Sequence, residues 1–261
     1  MSSVDLFKTE DLLKTDLHTH TVFCDGACSP NELLEKAVSL NLKRLGILVH
    51  SYTFFDESYC VKKEKVKEFQ NLITDLKEKY KGKLEVLCGV EQDYYSTFST
   101  DGFDYVIGSV HYLFKDGEYL PVDENEEITR RNIFEFFNGD PYAYAEEYFR
   151  VVSGVVEKTG ADVIGHFDIV AKENAGGLFI DTNNIRYQKA YKDAIKALVK
   201  CDKPFEINTS RIFKGLSKNP YPELTIIDEI KKLGGKFILS SDAHATNAVA
   251  FKFNEIYSLI K

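Results

Sequence analysis

All six histidines of this chain fall where a short apolar run comes to its end. Asp16-Leu17-His18-Thr19-His20 closes the first such run, and His50 closes the second. His111 ends Gly108-Ser109-Val110-His111, and His166 ends Ile164-Gly165-His166. His244 lies in Ser240-Ser241-Asp242-Ala243-His244. A single histidine is ordinarily a satisfied core or surface residue. If strand-end windows cover roughly a sixth of a barrel of this size, six independent histidines all fall in them with a probability on the order of 10⁻⁵. Neutral imidazole is the commonest protein ligand for zinc, iron and manganese. His18 and His20 are two apart, so on a strand both point to one side and can grip one ion. Carboxylates should join them, because histidines alone would leave the cluster heavily cationic. Glu91 in Gly89-Val90-Glu91, Asp25 just beyond the first pair and Asp242 two residues before His244 occupy equivalent places. Glu91 ends the third run and is the natural bridging ligand.

The runs that must position these residues are strands at residues 13–17, 44–49, 84–90, 105–110, 163–166, 205–207 and 237–239. Between them lie stretches of helical period, starting near Pro30, Val61, Tyr142, Asn184, Pro222 and Asn247. Ser29-Pro30-Asn31-Glu32 is a good helix start, with a capping serine, a first-turn proline and an acid. Leu33, Leu34, Ala37, Val38 and Leu40 should mark the apolar face that follows. Lys231-Lys232-Leu233-Gly234-Gly235 closes a helix with basic residues and then glycine. Strands alternating with helices predict an α/β fold with a parallel sheet. No glycine-rich dinucleotide turn follows the first strand, and seven units favour a distorted (β/α)7 barrel over an open sheet. In such a barrel, chemistry collects at the carboxyl ends of the strands. The connection over residues 112–139 is unusually long, and its acidic part at 115–124 reads as a solvated loop or as a lid.

Bulk composition fits one domain spanning 1–261. Apolar residues make up 44% and charged residues 28%, enough to bury a core. The net charge of −8, without a basic cluster interleaved with aromatics, argues against nucleic acid as a partner. It does not argue against a phosphorylated small molecule, because bound cations invert the local field. The five cysteines are odd in number and widely spaced, as expected of reduced thiols in a cytoplasmic protein. The first eight residues lack the pattern of a secretory signal, and no apolar stretch is long enough to span a bilayer.

His-x-His on the first strand, a histidine ending the second, Gly-x-Glu, Ser-x-His, a later histidine and Ser-Asp-x-His together resemble the PHP (polymerase and histidinol phosphatase) superfamily. The motifs run from residue 16 to residue 244, nearly the whole chain. Within it, the chain's length, the Gly-Ser-Val-His-Tyr-Leu stretch and the long following loop look most like histidinol-phosphate phosphatases of the PHP type. The resemblance implies two to three divalent transition-metal ions, zinc, iron or manganese. It divides the ligands into His18, His20, Glu91 and Asp242; Glu91, His111 and His166; and Asp25, His50 and His244. Asp25 stands where some family members have histidine. It also implies hydrolysis of a phosphate monoester, L-histidinol phosphate first, with a nucleotide or phosphotyrosine as alternatives. Three divalent ions against three carboxylates leave the site at about +3, which attracts a phosphate dianion. Such ions acidify water and neutralise phosphate oxygens, so no covalent intermediate is required. An amidohydrolase barrel also opens with His-x-His, but it wants a bridging lysine on a middle strand, where this chain has His111. A non-catalytic metal-binding module would not need a ligand at every strand end.

The expected catalytic residues are Glu91, itself a metal ligand, with Asp168 and Arg211. Arg211 follows Glu206-Ile207-Asn208-Thr209-Ser210 at the end of the sixth strand, where a guanidinium could clamp phosphate. Lys172 is the second phosphate-binding candidate. Asp168 could orient a histidine or protonate the leaving group, and Asp93, two after Glu91, reads as a supporting carboxylate. Cys24 lies near the ligands but would exceed a set that is already full.

Overall fold

A computed structural model describes residues 9–261, so residues 1–8, read above for a targeting signal, lie outside the described residues. Seven parallel strands form the central sheet: β1 (Thr15–Asp16), β2 (Arg44–His50), β3 (Glu85–Asp93), β4 (Tyr105–Ser109), β7 (Val163–Ile164), β8 (Phe205–Asn208) and β9 (Phe237–Ser240). They are neighbours in that order. Two more strands, β5 (Tyr112–Lys115) and β6 (Glu118–Pro121), make a separate antiparallel hairpin. Every predicted barrel strand is present. The first is shorter than expected, because residues Thr9–Lys14 coil into a 3₁₀ segment before it.

The sheet curls into a nearly closed barrel. Past the end of β1, Thr19 bridges Ala243 in parallel, with His20 N–H donating to Ala243 O at 2.8 Å and Ala243 N–H to His18 O at 3.1 Å. Asp16 holds the same seam, accepting from Ser241 Oγ at 2.5 Å, Ser241 N at 3.1 Å and Ala250 N at 2.9 Å. Parallel strands covered on both faces read as continuous apolar runs, which is why β2 and β4 are buried along nearly their whole length. Leu17, Leu48, Leu87, Tyr105, Ile107, Val163 and Ile238 form one cluster of buried side chains contributed by these strands. Tyr105 donates its hydroxyl to Leu17 O at 2.5 Å. The side chain needs Gly46 and Gly89, where a β-carbon would come within 2.0 Å of its hydroxyl oxygen and 2.4 Å of its ring.

The helices pack outside: α1 (Pro30–Ser39), α2 (Val66–Tyr80), α3 (Glu126–Arg131), α4 (Pro141–Val152), α5 (Val155–Thr159), α6 (Ile185–Leu198), α7 (Ser210–Phe213), α8 (Leu224–Lys232) and α9 (Phe253–Ile260). Ser29 caps α1 as expected, in a reciprocal pair with Glu32. Leu33, Leu34 and Ala37 are buried, but Val38 and Leu40, expected on the same face, are exposed in the last turn, where the chain leaves toward β2. The acidic segment at 115–124, read as a solvated loop or a lid, falls largely in the β5–β6 hairpin. Asp116 and Gly117 form its two-residue turn, both left-handed at φ 52° and 89°, as a tight hairpin requires. The hairpin packs on residues 54–55: Phe55 stacks on Tyr119 at 3.6 Å between centroids. No helix among the described residues is long and apolar enough to cross a membrane.

Candidate metal centre and active site

The carboxyl ends of six of the seven strands, all but β8, bring the nine expected ligands together, with Asp25 on the loop after β1. Glu91, at the end region of β3, is the centre, and its two oxygens face different partners. Oε1 lies 2.9 Å from His166 Nε2 and 3.3 Å from His111 Nε2. Oε2 lies 3.1 Å from His18 Nε2, 3.4 Å from His20 Nε2 and 3.0 Å from His50 Nδ1. Asp25 approaches His50 Nε2 at 3.5 Å and His244 Nε2 at 3.1 Å. Asp242 Oδ1 sits 3.6 Å from His18 Nε2, 3.5 Å from His20 Nε2 and 3.5 Å from His244 Nδ1. Asp242 is left-handed at φ 49°, a conformation that short polar side chains tolerate. The grouping is less divided than the family pattern implies. His20 approaches Glu91 and Asp242, yet it also gathers with Asp25, His50 and His244 within 4.8 Å.

The donor set fits cations. His18 Nε2 and His20 Nε2 are 3.1 Å apart, and His111 Nε2 and His166 Nε2 are 3.3 Å apart. Two neutral imidazoles can share only one proton between such atoms, so lone pairs converge with carboxylate oxygens on common points. The buried His50 Nδ1 stands 3.0 Å from Glu91 Oε2 but outside hydrogen-bond geometry, as two donors converging on a shared cation would. Burial penalises charge on Glu91, but His18, His50 and His111 hold its pKa well below the usual range. Asp25 and Asp242, against the same penalty, are likewise pushed down by neighbouring histidines, His50 foremost for Asp25 and His18 for Asp242. All three carboxylates are therefore charged, and the same contacts raise His18, His50 and His111 against their burial, so a cation bound there must displace their protons. Burial, with His50 and His244 beside it, pushes His20 down to about 3, so its ring is neutral.

Above the ligands opens a cavity of about 360 Å³. Its remaining wall comes from residues after β2 (Asp56, Ser58, Tyr59), from the hairpin and its exit (Tyr112, Pro121, Asp123, Glu124) and from Ile169, Lys172, Ser210, Lys214 and Tyr221. Arg211 is a correction to the sequence reading. It is buried, pairs with Glu223, donates to Ala171 O at 3.3 Å and lines a different cavity. The reason is helix phase. Arg211 belongs to α7, and each helical residue turns about 100° from the last. Ser210 faces Asp242, with Oγ at 3.0 Å from Oδ2, so its successor faces away. Lys214, four residues after Ser210, returns to the same face and lines the cavity. Lys172 does line the cavity, but its ammonium is tied to Asp123, donating to the main-chain oxygen and standing 3.8 Å from the carboxylate.

Asp168 also departs from expectation. It accepts from Glu223 N at 3.0 Å and is absent from the cavity wall, so it is placed neither to protonate a leaving group there nor beside a histidine ring. Burial pushes its pKa up to about 7, opposed by the Glu223 N–H and then by Arg211. Asp93 accepts from His111 N at 3.0 Å and lies 3.4 Å from His111 Nδ1. Cys24 Sγ is 3.4 Å from His20 Nδ1, beside the ligands. Sequence reasoning missed Lys214, the tyrosines of the wall and one buried carboxylate, Glu206. A glutamate inside the strand Phe-Glu-Ile-Asn was the available signal for the last, since a charge in a buried strand needs partners.

Six imidazoles and three carboxylates at the carboxyl end of a parallel seven-stranded barrel define a metal-binding β/α barrel. The PHP domain family matches residues 16–210, most of the chain, and the chain belongs to that family. Histidinol-phosphatase of Bacillus subtilis is 24% identical, with 92% of this chain and 97% of that protein covered. Two solved structures share the fold. A HisK protein from Listeria monocytogenes superposes with a TM-score of 0.79 at 22% identity, covering 93% of this chain and 99% of that one. Histidinol phosphate phosphatase from Lactococcus lactis, solved with zinc, L-histidinol and phosphate, gives a TM-score of 0.73 at 21% identity, covering 95% and 92%.

Proposed function

We propose that this chain is a single-domain, metal-dependent phosphomonoesterase that hydrolyses L-histidinol phosphate to L-histidinol and phosphate. The observation that carries the reading is Glu91, whose two oxygens face two histidine groups at the floor of a cavity with an acidic rim. The family and the histidinol-phosphatase names of its relatives support the same substrate. His18, His20, Glu91 and Asp242 would hold one ion, Glu91, His111 and His166 a second, and Asp25, His50 and His244 a third, each zinc, iron or manganese. Such ions, when bound, acidify water and neutralise phosphate oxygens.

The chain's own residues do the rest. Lys214 presents an ammonium at the wall nearest Ser210 and Asp242, where it can take a phosphate oxygen facing away from the ligand cluster. Lys172, tied to Asp123, secures the hairpin's exit over the cavity. Asp56, Asp123 and Glu124 line the rim opposite in charge to a substrate amine, and Tyr59, Tyr112 and Tyr221 give flat walls for a ring. These features favour an ester with a cationic, aromatic alcohol over a plain aryl phosphate. A site built to pair with polar groups rejects analogues lacking them. With metal-loaded protein, kcat/KM for histidinol phosphate should exceed that for an aryl phosphate by well over tenfold. Equal values would sink the substrate assignment, and no turnover of any phosphate ester would sink the enzyme assignment.

A further inference from the structure

Glu206 lies on β8, fully buried, beneath the ligand cluster and outside the cavity wall. Its carboxylate meets four donors. Oε1 stands 2.5 Å from His18 Nδ1 and accepts from Ser240 Oγ. Oε2 accepts from His166 N at 2.7 Å and from Asn208 Nδ2 at 3.2 Å. A carboxylate with both oxygens engaged this way has no free lone pair directed at a cation, so Glu206 is not a metal ligand. We propose that Glu206 is the positioning residue of the metal centre, fixing His18 in the Nδ1–H form with Nε2 toward Glu91 and anchoring the backbone that carries His166.

The argument rests on what an acceptor permits. Glu206 can only accept, so the hydrogen between it and His18 belongs to Nδ1. A neutral His18 then has its lone pair on Nε2, the atom 3.1 Å from Glu91 and 3.6 Å from Asp242. Carboxylates behind a ligating imidazole fix its tautomer and raise its basicity. Glu206 does this while joining three strands: His18 follows β1, His166 follows β7 and Ser240 ends β9, two residues before Asp242. It also adds a fourth negative charge, so three divalent ions would leave the centre at about +2.

This inference rests on His18 being a metal ligand, and the experiment separates the two. In zinc-loaded wild-type protein with ¹⁵N-labelled histidine, His18 should carry its proton on Nδ1, with that resonance shifted far downfield. Glu206→Gln keeps the size but turns an N–H₂ toward one donor pair. It should move that resonance upfield and weaken zinc binding, measured by chelator competition, by 10- to 100-fold. Ser240→Ala removes a neighbouring donor but spares the His18 contact, and it should hold zinc affinity within about threefold, as expected for a contact outside the imidazole pair. A proton on Nε2 of His18 in the wild type overturns the proposal, whether or not any variant folds. Zinc affinity in Glu206→Gln within twofold of wild type also overturns it. Wild-type protein that takes up no zinc overturns both this proposal and the metal reading beneath it.

Discussion

Glu91 has more near neighbours in the cluster than any other carboxylate described, and a neutral isostere tests what its charge does. Glu91→Gln should lower kcat on histidinol phosphate by a factor on the order of 10³, because the group that holds two histidine sets around shared charge is gone. Steady-state kinetics at saturating metal measures this, and activity within twofold of wild type would show that Glu91 bridges nothing. Arg211 in α7 and Lys214 just after it make a second test. Lys214→Met should cost roughly tenfold to a hundredfold in kcat/KM, the loss expected from one charge-assisted hydrogen bond. Arg211→Met should act on folding instead. It leaves Glu223 without its buried partner, a change that costs about 3–5 kcal/mol when the pair is well desolvated and less where, as here, Glu223 is 25% exposed. If Arg211→Met lowers kcat/KM with unchanged thermal stability while Lys214→Met does nothing, the assignment is reversed. At this scale the sequence showed what strand ends show. His18, His20, Glu91 and Asp242 were legible because a strand's last residues must emerge at the barrel mouth. Lys214 and Arg211 were not, because their directions depend on the phase of a four-residue helix whose start no spacing declares. Glu206 was hidden differently: its partners come from three strands remote in sequence.

The strands themselves were readable because burial on both faces leaves unbroken apolar runs, and parallel strands cannot hide behind alternation. The hairpin shows the reverse. In β5 the buried Tyr112 and Leu113 are followed by the exposed Phe114, and charges flank the turn, so the segment read as a solvated loop or a lid and not as strands. Asp116-Gly117 was nevertheless a hairpin signal in plain sight. Glycine was legible as punctuation but not as clearance. Gly46 and Gly89 sit within β2 and β3 because Tyr105 fills the space beside them. Gly89→Ala should therefore destabilise the barrel by about 1–3 kcal/mol, the usual cost of overpacking a tight core. A thermal melt in excess metal would read this as a drop of several degrees, and an unchanged midpoint would mean that the ring moves aside freely.

Across the whole molecule, the first and last barrel strands meet through Asp16 and the Thr19–Ala243 bridge, close to His18, His20, Asp242 and His244. Ions held there would tie the seam as well as serve chemistry. Any ligand that binds only the folded chain stabilises it, by about 3 kcal/mol at a hundredfold excess over Kd. Chelation should thus lower the melting temperature, and zinc or manganese should restore it. A midpoint indifferent to chelator would show that the seam holds without ions. The hairpin bears on inheritance. It lies between β4 and α3, while the nine ligands lie outside it, on barrel strands or in the loops after them. A segment at such a place can be lengthened, shortened or exchanged without removing a ligand. Lineages of this barrel are then free to trade one alcohol for another while keeping one phosphate chemistry. Grafting the segment between Tyr112 and Asn125 from a relative of different preference should move selectivity with it and leave metal content where it was.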